Sequence, residues 1–207
     1  MTVDPNQHDV FLLRQRIRLV INQYEFFLPA EPGSKAPGER ICFVEQKRFK
    51  FKEDIRFYTD ESKQQELLRI KARQRFDPAA TYDITDEVGA KLGEIQKVFG
   101  KSLLRSTYRI NDASGNELAI CTEKSLPIAI FRRAVGFIPY VDNISDWLPI
   151  PYHFVFMRDD EIIGENTRQT WKIRDIYTID MTGDAKRTLD RRLVLAIAVG
   201  MDALQAR

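Results

Sequence analysis

The chain has 207 residues, of which 43% are hydrophobic and 11% aromatic, so it is long and apolar enough to bury a core. These proportions exclude an intrinsically disordered chain and allow one large domain or two small ones. The formal net charge of only +2 gives no bulk attraction to nucleic acid or to a membrane.

The sequence carries no targeting or catalytic signature. It opens without a secretory signal pattern, and its longest apolar run, residues 193–201, is far shorter than the roughly 20 residues of a membrane span. Nucleophile-elbow, phosphate-loop and Cys-x-x-Cys motifs are absent. We therefore expect a cytoplasmic protein that is not an enzyme and that takes no cofactor and no metal. Cys42 and Cys121 are interpreted as buried thiols, with a disulfide as the alternative.

The first elements alternate apolar and polar residues, which is typical of half-buried strands. Residues 1–10 are interpreted as an N-terminal tail. In the strand that follows, Leu13 and Ile17 lie on one side, and the opposite side carries Arg14, Arg16 and Arg18. Residues 24–28 and 41–46 are then predicted to pair as a hairpin across a loop rich in Pro, Gly and Ser.

A strand–turn–strand unit recurs in the middle of the chain. Asp60, Asp86 and Asp112 are 26 residues apart, and each begins a turn. A glycine follows the second and third aspartates by three residues, whereas Lys63 takes that place in the first copy. Asp bonds to nearby backbone and Gly accepts positive φ, so both favour a tight turn. A fixed period indicates one repeated supersecondary unit, here a β-hairpin.

The period lapses beyond the last copy. Residues 126–152 are apolar, interrupted by prolines and predicted to be irregular. A further hairpin is predicted over 153–168, and a strand over 177–181. The sequence Thr-Gly-Asp at 182–184 is predicted to cap the start of a helix.

The final segment, about residues 186–204, is predicted to be a helix with an apolar centre. Its central run, 193–201, has no polar face, and such a helix must be surrounded on every side. We predict a mainly β fold: a closed antiparallel barrel of about twelve strands, built from repeated hairpins and enclosing the C-terminal hydrophobic helix. Closure removes the edge strands that would invite aggregation. Residues 11–207 then form a single domain.

Two features resemble the LURP-one-related and phospholipid-scramblase group of tubby-like proteins. One is the Tyr-x-Ile-x-Asp-x-x-Gly hairpin at 82–89 and 108–115; the other is the closing stretch 175–180 followed by 190–202. The resemblance extends from about residue 11 to 204. It implies a barrel of about twelve strands around a C-terminal helix. It implies no enzyme, because tubby proteins are known for binding phosphoinositides.

The chain departs from the scramblases ahead of the terminal helix. Scramblases carry an acidic segment there that is proposed to bind calcium. Only Asp175, Asp180 and Asp184 stand in the comparable region, interrupted by Ile176 and Thr178. A calcium loop needs a denser run of oxygen ligands. We therefore expect neither a calcium site nor scramblase activity.

Three strand-like runs carry cations at alternate positions. In a barrel the apolar sides face the helix, so these cations should point outward. They could bind phosphate groups together, or they could form an ordinary solvated exterior interleaved with acids such as Glu45 and Glu66. The predicted site for an anionic headgroup comprises Arg14, Arg16, Arg18, Arg48, Lys50, Lys52, Arg69, Lys71 and Arg73.

The apolar connection 137–152 is the second candidate surface. Its aromatic residues are Phe137, Tyr140, Trp147 and Tyr152. It is predicted to be either a lid over one barrel mouth or a surface for a partner, since exposed apolar patches of this kind mark interaction sites.

These observations favour a non-catalytic binding module that recognises anionic phospholipid or phosphoinositide headgroups through its basic outer strands. Such a protein would be peripheral at the inner face of a membrane. The alternative is a protein–protein interaction or scaffold domain that uses the 137–152 loop. Nucleic acid is not expected, because Phe49 and Phe51 alternate with the cations and point inward, away from bases.

Overall fold

Twelve strands and one long helix make up the fold in a computed structural model that describes residues 3–17, 21–47, 54–73, 81–98, 106–124, 153–168 and 176–205. The strands are β1 (Val10–Ile17), β2 (Ile21–Pro29), β3 (Pro37–Lys47), β4 (Asp54–Tyr58), β5 (Glu66–Ala72), β6 (Thr81–Asp86), β7 (Lys91–Lys97), β8 (Thr107–Asp112), β9 (Glu117–Glu123), β10 (His153–Arg158), β11 (Glu161–Arg168) and β12 (Ile176–Asp180). A short 3-10 helix (Pro5–Gln7) precedes them, and α1 (Arg191–Gln205) follows.

The strands form a closed antiparallel barrel. Each strand pairs with its neighbours along the chain, and β1 pairs with β12 to close the ring. Closure leaves none of these twelve strands with a free edge, which removes a template for aggregation. The prediction of a closed barrel of about twelve strands is confirmed.

Alternation along each strand separates the interior from the exterior. In β4, Ile55 and Phe57 are buried, whereas Asp54 and Arg56 are exposed. This period of two is the geometry of a strand whose one face packs on a core. The inward side chains and the helix form one hydrophobic cluster.

The repeated aspartates make the hairpin turns. The side-chain carboxylates of Asp86 and Asp112 each accept hydrogen bonds from the backbone N–H groups two and four residues further on, at 2.8 to 3.1 Å. Asp60 accepts one from the residue two further on, at 2.7 Å. The third residue after each aspartate has positive φ: 83° at Gly89, and 58° at Lys63. The predicted turn chemistry is confirmed, and Lys63 adopts a conformation that favours glycine.

Helix α1 is surrounded by the barrel. Every side chain from Leu193 to Val199 is at most 4% exposed. Strand β7 approaches especially closely at Gly93, where a Cβ atom would lie 3.1 Å from Leu193 Cδ1 and would collide with the Asn111 carbonyl. Among the described parts of the chain, no helix has the length and hydropathy that a membrane crossing requires.

The helix begins at Arg191 rather than near residue 186. Asp190 is its N-cap, because Asp190 Oδ1 accepts from the backbone N–H of Arg192 at 2.8 Å. Residues 182–190 form turns, with Arg187 at a φ of 50°. The predicted cap at 182–184 is therefore wrong: Asp184 Oδ2 bonds to the backbone N–H of Leu189 at 2.9 Å and leaves the helix start to Asp190.

Arg191 joins the helix start to the N-terminal segment. Its side chain is fully buried. Its Nη1 donates to Asp184 Oδ2 and its Nη2 to Asp9 Oδ1, both at 2.8 Å. Its Nε donates to the His8 carbonyl at 3.3 Å, and its backbone N–H to Asn6 Oδ1 at 2.8 Å. Part of the segment interpreted as a tail thus contacts the first turn of α1.

The two cysteines are free and fully buried, as predicted. Burial raises the pKa of both Cys42 and Cys121, because the thiolate would lose its hydration. Neither thiol is therefore a nucleophile in the folded protein.

Candidate functional site

The outer face of β4 and β5 carries the best-defined group of predicted cations. Arg69 and Lys71 alternate with the buried residues of β5, so both point outward, and Arg73 follows the end of the strand. Across the ladder, Arg56 lies opposite Arg69 and Asp54 lies opposite Lys71. The fold therefore brings Arg56 next to the predicted cations of β5 and its C-terminal end, Arg69, Lys71 and Arg73.

Two arginines of this face are held by aspartates in bidentate pairs. Arg69 donates from Nε and Nη2 to the two oxygens of Asp54, at 2.7 and 2.6 Å. Arg73 does the same to Asp83 of β6, at 2.9 and 2.7 Å. These hydrogen bonds lower the pKa of both aspartates, so each carboxylate stays ionised beside its guanidinium.

Lys71 lies between these two pairs. In the strand register it is opposite Asp54 on one side and Asp83 on the other. Both carboxylates are already engaged by arginines, and Lys71 is exposed. Within the described ranges, Lys71 has no ion-pair partner of its own.

The pairing continues onto β7. Arg73 also contacts Glu94, and Lys91 Nζ lies 2.9 Å from Glu94 Oε2 and 3.4 Å from Asp83 Oδ1. Burial alone would raise the pKa of Glu94, but hydrogen bonds from Lys91, Asn111 and Arg73 lower it. We call the following set the outer charge cluster: Arg56, Arg69, Lys71, Arg73 and Lys91 with Asp54, Glu66, Asp83 and Glu94. Five cations against four carboxylates leave it with one net positive charge.

Arg14, the predicted cation of β1 whose side chain the structure describes, is in a different part of the barrel and has a structural role. Arg14 Nη2 lies 2.8 Å from Glu25 Oε2, and the Glu25 side chain is only 1% exposed. Arg40 Nη2 lies 3.1 Å from the other oxygen of Glu25. The Arg14 guanidinium also stacks over the Phe27 ring, 4.7 Å from its centroid. Removing Arg14 would leave a buried carboxylate with less compensation, so its charge serves the barrel wall.

The remaining predicted residues are described only in part or not at all. Arg16 lies in β1, opposite Gln23 in the register. Arg18, Arg48, Lys50 and Lys52 lie outside the described residues. So do Phe137, Tyr140, Trp147 and Tyr152, and the partner surface at 137–152 stays a prediction.

Sequence reasoning missed the carboxylates that partner these cations. Asp54 and Asp83 were not singled out, although each stands on a strand beside the basic row of β5. The available signal was the hairpin register, because the repeated turns determine which residues face each other. Arg191 was missed as well, since a cation at the start of a helix gives no local sign of partners that lie far away in the sequence.

The outer charge cluster is a network of ion pairs on the barrel wall. In the portions of the chain that the structure describes, no group of three or more His, Cys, Asp and Glu residues could hold a metal ion. The cations of the cluster keep part of their side-chain surface exposed to solvent: 30% for Arg69, 44% for Arg73 and 31% for Lys91.

The family model described as LURP-one-related matches residues 40–202. No curated protein and no solved structure matches the chain significantly.

Proposed function

The chain belongs to the LURP-one-related family, and we propose that it works as a non-catalytic binding module for anionic phospholipid headgroups, which dock on the outer charge cluster. The observation that carries this proposal is the position of Lys71 between two arginine–aspartate pairs. A phosphate group placed there would meet an ammonium without an ion-pair partner among the described residues, and a guanidinium on either side.

The arginines retain donors for such a ligand. A guanidinium has five N–H donors, and the fork that Arg69 makes to Asp54 occupies two of its three nitrogens. A phosphate oxygen can therefore bond to Arg69 without displacing Asp54. Each aspartate also fixes the orientation of its arginine, which lowers the conformational entropy that binding would otherwise cost.

The charge balance sets the strength of this interaction. A Lys or Arg close to an anionic membrane contributes about 1 kcal/mol, and the four carboxylates oppose part of that attraction. On this scale the one net positive charge contributes only about 1 kcal/mol, well short of the roughly 4 kcal/mol that a dissociation constant of 1 mM requires. The binding is therefore weak for one phosphate and salt-sensitive. A multiply phosphorylated headgroup would bind more tightly, because it contacts Lys71 and an arginine at once.

Co-sedimentation with vesicles tests the proposal. Phosphatidylcholine vesicles containing a phosphatidylinositol bisphosphate should bind the protein, and pure phosphatidylcholine vesicles should not. Lys71→Glu should reduce the bound fraction several-fold. The matched control is Lys35→Glu, the same charge change at an exposed lysine in the β2–β3 loop, at the opposite end of the barrel. Equal binding of Lys71→Glu and Lys35→Glu, or equal binding to both vesicle types, would contradict the proposal.

A further inference from the structure

Polar side chains point into the barrel beside the C-terminal half of α1. Five adjoining strands, β11, β12, β1, β2 and β3, each place a hydrogen-bonding side chain in line with their inward residues: Asn166, Tyr177, Gln15, Asn22 and Gln46. Across the barrel, β6, β8 and β9 do the same with Tyr82, Tyr108 and Glu123. Helix packing alone does not require these polar side chains.

A small pocket lies between α1 and the strands β10, β11, β12, β1 and β2. Its volume is about 40 Å³. Its polar lining residues are Gln15, Tyr24, Asn166 and Tyr177, and its apolar ones are Leu13, Phe154, Ala198 and Met201. A buried water needs about 10–15 Å³, so the pocket has room for about three waters or for a molecule of a few non-hydrogen atoms. One wall is therefore polar, and the wall formed by α1 is apolar.

Asn166 supplies an unused hydrogen-bonding group at the pocket. The residue is 4% exposed, and its Oδ1 accepts no hydrogen bond. On the neighbouring strands, Gln46 is 7% exposed, and its Oε1 is likewise unpartnered, as is Oδ1 of Asn22. Buried polar atoms are nearly always paired in folded proteins, so three such atoms in one region require an explanation.

The chemistry of the lining restricts the ligand. The eight lining residues that the structure describes carry no formal charge at neutral pH, so an ion buried there would lack a counter-charge. A carboxamide both donates and accepts, so its best complement is a group that does the same in the same plane. A primary amide satisfies that requirement, since its N–H reaches Asn166 Oδ1 while its oxygen accepts from the Asn166 amide nitrogen.

We propose that this interior pocket is a binding site for a small uncharged molecule carrying a primary amide, which pairs with the Asn166 carboxamide and lays its apolar end against Ala198 and Met201. The site is inside the barrel, whereas the outer charge cluster is on its surface. A result that contradicts one of the two proposals therefore leaves the other unaffected.

Acetamide and acetate, which have the same shape and differ in charge, test the pocket. In a ¹⁵N–¹H NMR titration, acetamide should shift the Asn166 side-chain signals saturably with a dissociation constant in the millimolar range, as expected for a ligand of four heavy atoms. Acetate should produce no saturable shift. If acetamide also gives none, the pocket holds water only and the proposal is overturned.

Two variants locate the binding. Ala198→Leu fills the pocket and should abolish saturable binding of acetamide, whereas Ala90→Leu, the same change in an exposed turn, should leave it intact. Asn166→Leu removes the carboxamide and should weaken the binding of acetamide at least tenfold. This variant tests the site even if Ala198→Leu does not fold. Binding detected by ligand-observed NMR that is unchanged in the folded variants would overturn the assignment.

Discussion

The turn residues determine the backbone conformation of the hairpins through interactions that reach no further than four residues along the chain. Gly89 and Gly115 provide positive φ where the hairpins reverse, and Lys63 does so in the β4–β5 hairpin without the freedom of glycine. A residue with a Cβ atom held in this region carries about 1–2 kcal/mol of backbone strain. Lys63 also makes a surface ion pair, with its Nζ 2.7 Å from Glu45 Oε1.

Replacing Lys63 separates the strain from the ion pair. Lys63→Ala loses the ion pair and keeps the strain, whereas Lys63→Gly loses both. We expect Lys63→Gly to be more stable than Lys63→Ala by about 1 kcal/mol, or about 2–4 °C in Tm for a domain of this size. Thermal unfolding of both variants checks the difference. Identical melting temperatures would mean that the positive φ of Lys63 costs nothing.

These turns were predictable and the ion pairs were not, because the two depend on different ranges of sequence. Asp86 bonds to backbone two and four residues away, so the sequence contains the whole interaction. Arg69 pairs with a carboxylate 15 residues earlier, and Arg14 with one 11 residues later. Such contacts exist only after two strands adopt a particular register. The alternation of apolar and polar residues predicted that the cations point outward. It could not predict that carboxylates on neighbouring strands would neutralise them.

At the scale of elements, the start of α1 depends on one buried carboxylate. Asp184 is 3% exposed, and it accepts from Arg191, from Arg158 at 3.1 Å and from Thr188 at 2.9 Å. Burial alone would raise the pKa of Asp184, but the Leu189 N–H and these side chains lower it well below its usual range. The connection between β12 and α1 is thus held by the ionised form of Asp184.

Breaking this network should cost far more than breaking the exposed pair beside it. Arg191→Met keeps most of the side-chain volume but leaves Asp184 and Asp9 with less compensation, and we expect a loss of about 3–5 kcal/mol. Arg187→Met removes an exposed arginine that lies 2.8 Å from Asp9, and should cost much less, because solvent screens an exposed ion pair. Urea unfolding of the two variants measures both. Similar losses would show that burial does not govern this site.

The lowered pKa of Asp184 also predicts how stability depends on pH. An aspartate in the unfolded chain titrates near 3.9. The stabilisation from Asp184 should be fully present well above that value, and it should disappear as the pH falls towards the lower pKa of the folded state. Asp184→Asn should therefore reduce the free energy of unfolding near neutral pH and flatten its decline between about pH 5 and 2. A decline as steep as in the original protein would assign the acid sensitivity to other carboxylates.

The helix itself was predictable because its apolar centre has no polar face, but its first residue was not. Asp184 and Asp190 are both suitable N-caps by sequence. The structure uses Asp190 for the cap and Asp184 for the buried arginine, a choice that depends on the contact between Arg191 and the N-terminal segment. That contact joins residues 182 positions apart, a distance over which the sequence pattern carries no information.

For the whole molecule, the enclosed helix is the core against which all twelve strands close. Leu195 is fully buried at its centre. Leu195→Ala should cost about 2–5 kcal/mol, because it removes buried methyl groups and leaves a cavity that a closed barrel cannot readily collapse. Leu195→Met conserves volume and should cost less than about 1.5 kcal/mol. Equal and small losses, measured by urea unfolding, would be incompatible with a helix packed on every side.

Closure of the ring further predicts that the barrel opens as one unit. Cys42 is in β3 and Cys121 is in β9, which lie on opposite sides of a ring of twelve sequential strands. Both thiols are fully buried, with Cys121 Sγ 3.4 Å from Met201 Sδ of the helix. Neither can reach solvent while the helix fills the interior. At reagent concentrations where labelling outpaces refolding, a disulfide reagent should therefore label both at one rate, that of global unfolding, and mass spectrometry of the labelled peptides reads the two sites separately. Faster labelling of one cysteine would reveal local opening on its side of the barrel, because a cooperative unit exposes both together.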